Sequence, residues 1–179
     1  LAAFAATDTV LLLHTNDLHD HVAPGYEGVG GLPYVAGYVN RVRAERKDVL
    51  LLDGGDVMEK GDLVAYETKS TVMYEAMGRI GYDAVAVGNH DVAYGLDHLR
   101  RCDALTGPPE ILCVNIVKQD GSPEFAASKV FDVDGVRVGV IGATVARQGA
   151  LAVDATVPLI VKEAERLEPD VDLTVVLCH

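Results

Sequence analysis

The chain has 179 residues, 49% of them apolar, and a mean hydropathy of +0.18, which suffices for one domain with its own core and excludes a disordered chain. Its formal net charge is −12 with a pI near 4.7, so it offers no basic footprint for a nucleic-acid polymer or an acidic membrane. No apolar stretch reaches transmembrane length, and Cys102, Cys113 and Cys178 form no C-x-x-C pair of the kind that marks a zinc ribbon.

In chain order, Leu1-Ala2-Ala3-Phe4-Ala5-Ala6 resembles the tail of a signal peptide without its basic start, and Ala3-Phe4-Ala5 fits an A-x-A cleavage pattern. The expectation is a signal remnant over 1–6, a folded part over 7–179, and export to the periplasm or medium. Thr9-Val10-Leu11-Leu12-Leu13-His14-Thr15-Asn16 is a first strand leading into Asp17-Leu18-His19. A Gly-rich loop follows, and Pro33 fits the first turn of a helix that places Leu32, Val35, Ala36, Val39 and Val42 on one face. Arg41, Arg43, Glu45 and Arg46 are expected to turn to water.

Val49-Leu50-Leu51-Leu52 is a second strand, ending in Asp53-Gly54-Gly55-Asp56. A polar loop through Glu59 and Lys60 leads to a helix carrying Val72, Ala76, Met77 and Ile80, closed by Gly81. Ala84 to Val87 is a third strand. Gly88 lets the backbone turn sharply after it into Asn89-His90-Asp91. A short helix from Leu96 to Leu105 is stopped by Pro108-Pro109, and Ile111 to Ile116 is a fourth strand.

Lys129 to Val133, Asp134-Gly135 and Val136 to Ile141 read as a β-hairpin. A loop with little pattern carries Arg147 and Gln148, a helix runs from about Leu159 to Leu167, and Leu173 to Leu177 is a last strand. The grammar is βαβαβαβ, a hairpin, then αβ: an α/β fold with a parallel sheet first and antiparallel strands added by the hairpin. The chain stops at His179, directly behind an apolar strand, which predicts a piece of a longer protein.

Three apolar strands thus end in Asp-x-His, Gly-Gly-Asp and Gly-Asn-His-Asp. Taken singly, Gly-Gly-Asp is often an Asx turn and Gly-Asn-His a helix cap through Asn89. Together they place Asp17, His19, Asp56, Asn89, His90 and His179 at strand exits, where ligands bind in open α/β sheets. A carboxylate bridges two cations well, and Asn and neutral His complete their shells. Oxygen and nitrogen donors without thiolate favour Mn, Zn or Fe, and two such ions about 3.5–4 Å apart activate a bridging water for attack at phosphorus. His14 is expected to be a satisfied strand histidine, His21 a loop residue near the site and His98 an exposed helix residue. Cys113 and Cys178 are expected to be buried, with a Cys102–Cys113 disulfide as the alternative to free thiols.

The stretches Leu13-His14-Thr15-Asn16-Asp17-Leu18-His19, Gly30-Gly31-Leu32, Leu51-Leu52-Asp53-Gly54-Gly55-Asp56 and Gly81-Tyr82-Asp83-Ala84-Val85-Ala86-Val87-Gly88-Asn89-His90-Asp91 carry a family resemblance. With Val138-Gly139-Val140-Ile141-Gly142 and Val175-Val176-Leu177-Cys178-His179, they resemble the catalytic domain of the 5′-nucleotidase group of calcineurin-like metallophosphoesterases. The resemblance implies a four-layer αββα sandwich of two mixed sheets. It implies two divalent metal ions, with Asp17 and His19 on one, Asp56 bridging, Asn89 and His179 on the second, and His90 as the catalytic histidine. The implied reaction is hydrolysis of a small-molecule phosphate ester, most readily a 5′-nucleotide. A 2′,3′-cyclic phosphodiesterase, a UDP-sugar hydrolase and a sulfur-ester hydrolase are alternatives, and a non-catalytic binding module is the alternative of another class.

Two departures stand out. Ala93 replaces the aspartate that the resemblance pairs with the catalytic histidine, and neither the later ligand segment nor the separate C-terminal domain has a counterpart in this sequence.

Overall fold

The computed structural model describes residues 9–25, 27–106, 109–144 and 156–179. The expected leader over 1–6 and the loop with Arg147 and Gln148 lie outside the described residues.

The elements run β1 (Leu11–Thr15), α1 (Gly31–Glu45), β2 (Val49–Asp53), α2 (Leu63–Glu67), α3 (Thr71–Ile80), β3 (Ala84–Ala86), α4 (Leu96–Thr106), β4 (Glu110–Leu112), β5 (Ser128–Val133), β6 (Val136–Ala143), α5 (Thr156–Leu167) and β7 (Leu173–Cys178). They form two sheets. The first has the order β1-β2-β3-β4 and is parallel throughout; the second, β5-β6-β7, joins an antiparallel hairpin to a parallel pair and is mixed.

Side-chain alternation along β2 explains the layering. Leu51 faces one way, into a core it shares with Leu32 and Val39 of α1, Met73, Tyr74 and Met77 of α3, and Leu99 and Cys102 of α4. Leu50 and Leu52 face the other way and meet Val138 and Val140 of β6. A strand buried on both faces must be apolar at every position, which is why β2 reads as an unbroken run of leucines. On the outer side of the second sheet, Leu167 packs with Ile141 and Ala143, backed by Leu159, Ile160 and Ala164. The result is helices, sheet, sheet, helix: the expected αββα sandwich.

Some local expectations fail for identifiable reasons. The fourth strand stops at Leu112, not Ile116, because Cys113 N–H donates to Ala126 O (2.8 Å) and Val114 N–H to Gly142 O (2.8 Å), steering the chain from the first sheet to the second. Asn115 fixes that crossing: its Oδ1 accepts Thr144 N–H (3.0 Å) and its Nδ2 donates to Thr156 Oγ1 (2.9 Å). Arg43 does not turn to water. It lies half-buried and donates to Ile80 O (2.9 Å) and Gly81 O (2.8 Å), the last carbonyls of α3.

His98, expected to be exposed, is buried, donating from Nε2 to Lys69 O (2.7 Å) and packing edge-on against Tyr94. His14 lies within β1 as expected, but its side chain is exposed rather than satisfied by packing, β1 being an outer strand of its sheet. His21 is exposed in its loop. All three cysteines are free; Cys102 and Cys113 are buried, whereas Cys178 is exposed at the end of β7, an outer strand of the second sheet.

Candidate metal centre

Parallel pairing brings the carboxyl ends of β1, β2 and β3 side by side, and the loops that leave them run together as a second ladder. Gly54 N–H donates to Thr15 O (2.8 Å), Asp17 N–H to Gly55 O (2.9 Å), His19 N–H to Asp56 O (3.0 Å) and Asp20 N–H to Val57 O (2.9 Å). This ladder forces Asp17, His19, Asp20 and Asp56 into the left-handed backbone region, with φ of 55°, 42°, 60° and 60°. Such conformations are costly for residues with a Cβ and persist where surrounding structure imposes them, commonly at functional sites.

The strained loops turn one ligand atom each from Asp17, His19 and Asp56 toward a common point, all within 4.8 Å of one another. His19 donates from Nδ1 to Met58 O (3.2 Å), which leaves Nε2 as the acceptor, 3.6 Å from Asp17 Oδ1 and 3.9 Å from Asp56 Oδ2. His179, delivered by β7 of the second sheet, repeats the arrangement. Its Nδ1 donates to Gly54 O (3.0 Å) and its Nε2 stands 3.2 Å from the same Asp56 Oδ2.

A backbone carbonyl behind each imidazole fixes the tautomer that presents a lone pair inward, as metal-binding histidines require. The other Asp56 oxygen, Oδ1, accepts His90 N–H (2.7 Å). Asn89 follows Gly88 at the β3 exit, half-buried, its amide making no hydrogen bond among the described residues. The His90 ring stands edge-on to His19, centroids 5.0 Å apart. Oxygen and nitrogen donors converge here without a thiolate, a donor set that fits divalent Mn, Zn or Fe. All six residues singled out in the sequence therefore sit at the same ends of the two sheets.

Other carboxylates hold the centre together in a way the sequence did not reveal, Asp91 among them although it shares the strand exit with Asn89 and His90. Asp91 is fully buried and accepts four backbone N–H groups: Oδ2 takes Gly88 (2.7 Å) and Asp56 (2.9 Å), and Oδ1 takes Val57 (2.8 Å) and Met58 (3.1 Å). Burial raises its pKa above the usual carboxylate range, and these amides oppose the shift. Asp20 is likewise buried and raised by desolvation, its Oδ2 accepting Ser70 Oγ–H (3.0 Å) and Glu59 N–H (2.8 Å). Asp53, at the end of β2, is pushed up to about 7 by burial, against the bonds it accepts from Thr15 Oγ1 (2.5 Å) and Gly55 N–H (2.8 Å).

Comparison with known proteins bears on the family and the fold. The family model for calcineurin-like phosphoesterases matches residues 10–179. A 5′-nucleotidase of Vibrio vulnificus is 35% identical over 150 residues, covering 78% of this chain and 26% of the relative. The crystal structure of a 5′-nucleotidase precursor from Thermus thermophilus superposes with a TM-score of 0.81 at 30% identity, over 94% of this chain and 36% of that one. Thermus thermophilus sulfate thiohydrolase SoxB shares the fold, with a TM-score of 0.82 at 15% identity over 99% of this chain and 45% of that one. The chain spans about a quarter of the length of the curated bacterial relatives it matches. No helix among the described residues is long and apolar enough to cross a membrane. The chain belongs to the calcineurin-like phosphoesterase family.

Proposed function

We infer that the protein hydrolyses small phosphate esters, with 5′-nucleotides as the favoured substrates, at a centre of two divalent ions. The observation that carries this reading is the convergence of two histidine Nε2 atoms, from two different sheets, on one oxygen of Asp56, at 3.9 and 3.2 Å. Asp56 would then bridge the two ions. Asp17 and His19 would hold one ion; Asn89 and His179 would hold the other.

When bound, the ions supply Lewis acidity and a deprotonated water at neutral pH. The protein's own residues do the rest. Asp91 holds the two loops in register, the carbonyls of Met58 and Gly54 orient the ligand imidazoles, and His90 would take a proton from solvent at Nε2 and give it to the leaving oxygen. Bound cations also reverse the local field of a chain carrying −12, which a phosphate ester would otherwise avoid. Export belongs to the same reading, on the strength of Ala3-Phe4-Ala5.

The test is hydrolysis of an aryl phosphate with added Mn²⁺. Asp56→Asn is expected to lower kcat by roughly 10²-fold or more, since the bridge tunes both ions; an unchanged rate would remove Asp56 from the centre. Comparing AMP with a cyclic nucleotide, UDP-glucose and a sulfur ester then assigns the substrate.

A further inference from the structure

His90 lies in a turn that brings it no acidic partner of its own: Ala93 N–H closes onto His90 O (3.0 Å), and the side chain at that position is a methyl group. The carboxylate comes from elsewhere. Glu59, on the loop between β2 and α2, places Oε2 2.6 Å from His90 Nδ1, the one carboxylate bonded to this ring among the described residues. On the far side of the ring, Lys60 Nζ stands 2.7 Å from Nε2. An ionised carboxylate only accepts and an ammonium only donates, so the neutral Nδ1–H tautomer satisfies both contacts at once.

Glu59 is not a loose surface acid. Four successive amides of its loop are tied down by two buried carboxylates. Asp91 takes Asp56, Val57 and Met58, and Asp20 takes Glu59 itself (2.8 Å). Glu59 and Lys60 both hold left-handed backbone angles, φ 68° and 77°, imposed by this anchoring. Because Asp91 follows His90 directly, the carboxylate that fixes Glu59's loop also fixes the histidine's. Both partners of the 2.6 Å contact are therefore mounted on one rigid frame.

We propose that Glu59 is the positioning residue for His90: its carboxylate accepts a hydrogen bond from Nδ1–H and holds the ring in the tautomer and rotamer that aim Nε2 at the reacting phosphate. No bond forms to Glu59 and it takes no proton from the substrate. The proposal rests on the reading of His90 as the catalytic histidine.

The experiment combines long-range ¹⁵N–¹H spectra of the His90 ring, on protein free of paramagnetic metal, with steady-state kinetics for the wild type, Glu59→Ala and Glu59→Gln. The wild type is expected to show the Nδ1–H tautomer. Glu59→Ala is expected to lose that bias and about 10- to 100-fold in kcat with KM unchanged, the usual effect of removing a histidine's orienting partner. Glu59→Gln retains an acceptor, so it should keep the tautomer and recover part of the rate. A His90 spectrum that is the same in Glu59→Ala as in the wild type overturns the proposal. A shifted spectrum with unchanged kcat overturns the catalytic reading of His90, and the positioning role with it, but leaves the contact intact.

Discussion

Gly88 shows how tightly the centre is assembled. A Cβ at this position would lie 2.1 Å from Asp56 Oδ1 and 2.3 Å from Asp56 N, and one on Gly55 would lie 2.7 Å from Gly88 N. The two glycines face each other so that the loops after β2 and β3 can touch, and that contact lets His90 N–H reach Asp56 Oδ1. Gly88 thus serves close approach rather than the sharp turn expected of it; its φ is not among the positive ones. Gly88→Ala is expected to displace Asp56, costing about 1–3 kcal/mol by overpacking and weakening Mn²⁺ binding at least tenfold. Denaturant titration and calorimetric Mn²⁺ binding measure the two effects, and full Mn²⁺ affinity in a folded variant would show that Asp56 does not need this contact. The candidate ligand residues stood out in the sequence because each follows an apolar strand. Glu59 and Asp20 did not, and Asp91, though it stands beside Asn89 and His90 at the strand exit, showed no sign of its role, because the contacts by which these carboxylates join the two loops span 31 to 50 positions and no local pattern encodes the meeting of two loops.

At the scale of the element, the strands and longer helices were readable from periodicity, whereas what fastens them together was not. Helical spacing assigns Arg43 to the polar face of α1, yet its guanidinium reaches across to the C-terminus of α3, where Gly81 at φ 84° leaves the last carbonyls open. A cation there meets both the unpaired carbonyls and the negative end of the helix. Arg43→Ala should cost about 1–2 kcal/mol, given two bonds to a charged donor that is partly exposed. The same variant should leave metal affinity unchanged, because α3 packs behind the sheet and contributes no ligand. A loss below a few tenths of a kcal/mol in urea denaturation would mean that solvent caps α3 equally well. The five-residue α2 had no comparable signal: Leu63, Val64 and Tyr66 are exposed on it, so its apolar residues follow no buried stripe.

For the molecule as a whole, the candidate centre is a seam between sheets. Asp17, His19, Asp56 and Asn89 leave the first sheet; His179 leaves the second, and its ring reaches across to Gly54 O and Asp56. The two sheets otherwise meet through the apolar contact of Leu50, Leu52, Ala84 and Leu112 with Val133, Val138 and Val140. An ion held by ligands from both would join the two sheets where they meet, and anything that binds only the folded state stabilises it by mass action. At a free Mn²⁺ concentration 100-fold above Kd, that stabilisation is about 2.7 kcal/mol. The melting temperature should therefore climb with Mn²⁺ and keep climbing logarithmically past saturation. His179→Ala should remove the part of the rise that belongs to the second ion, while preserving a smaller rise from Asp17, His19 and Asp56. Two outcomes would contradict this placement. An equal rise in the variant means that His179 binds no ion, and no rise in either protein means that the five residues do not hold metal without further ligands.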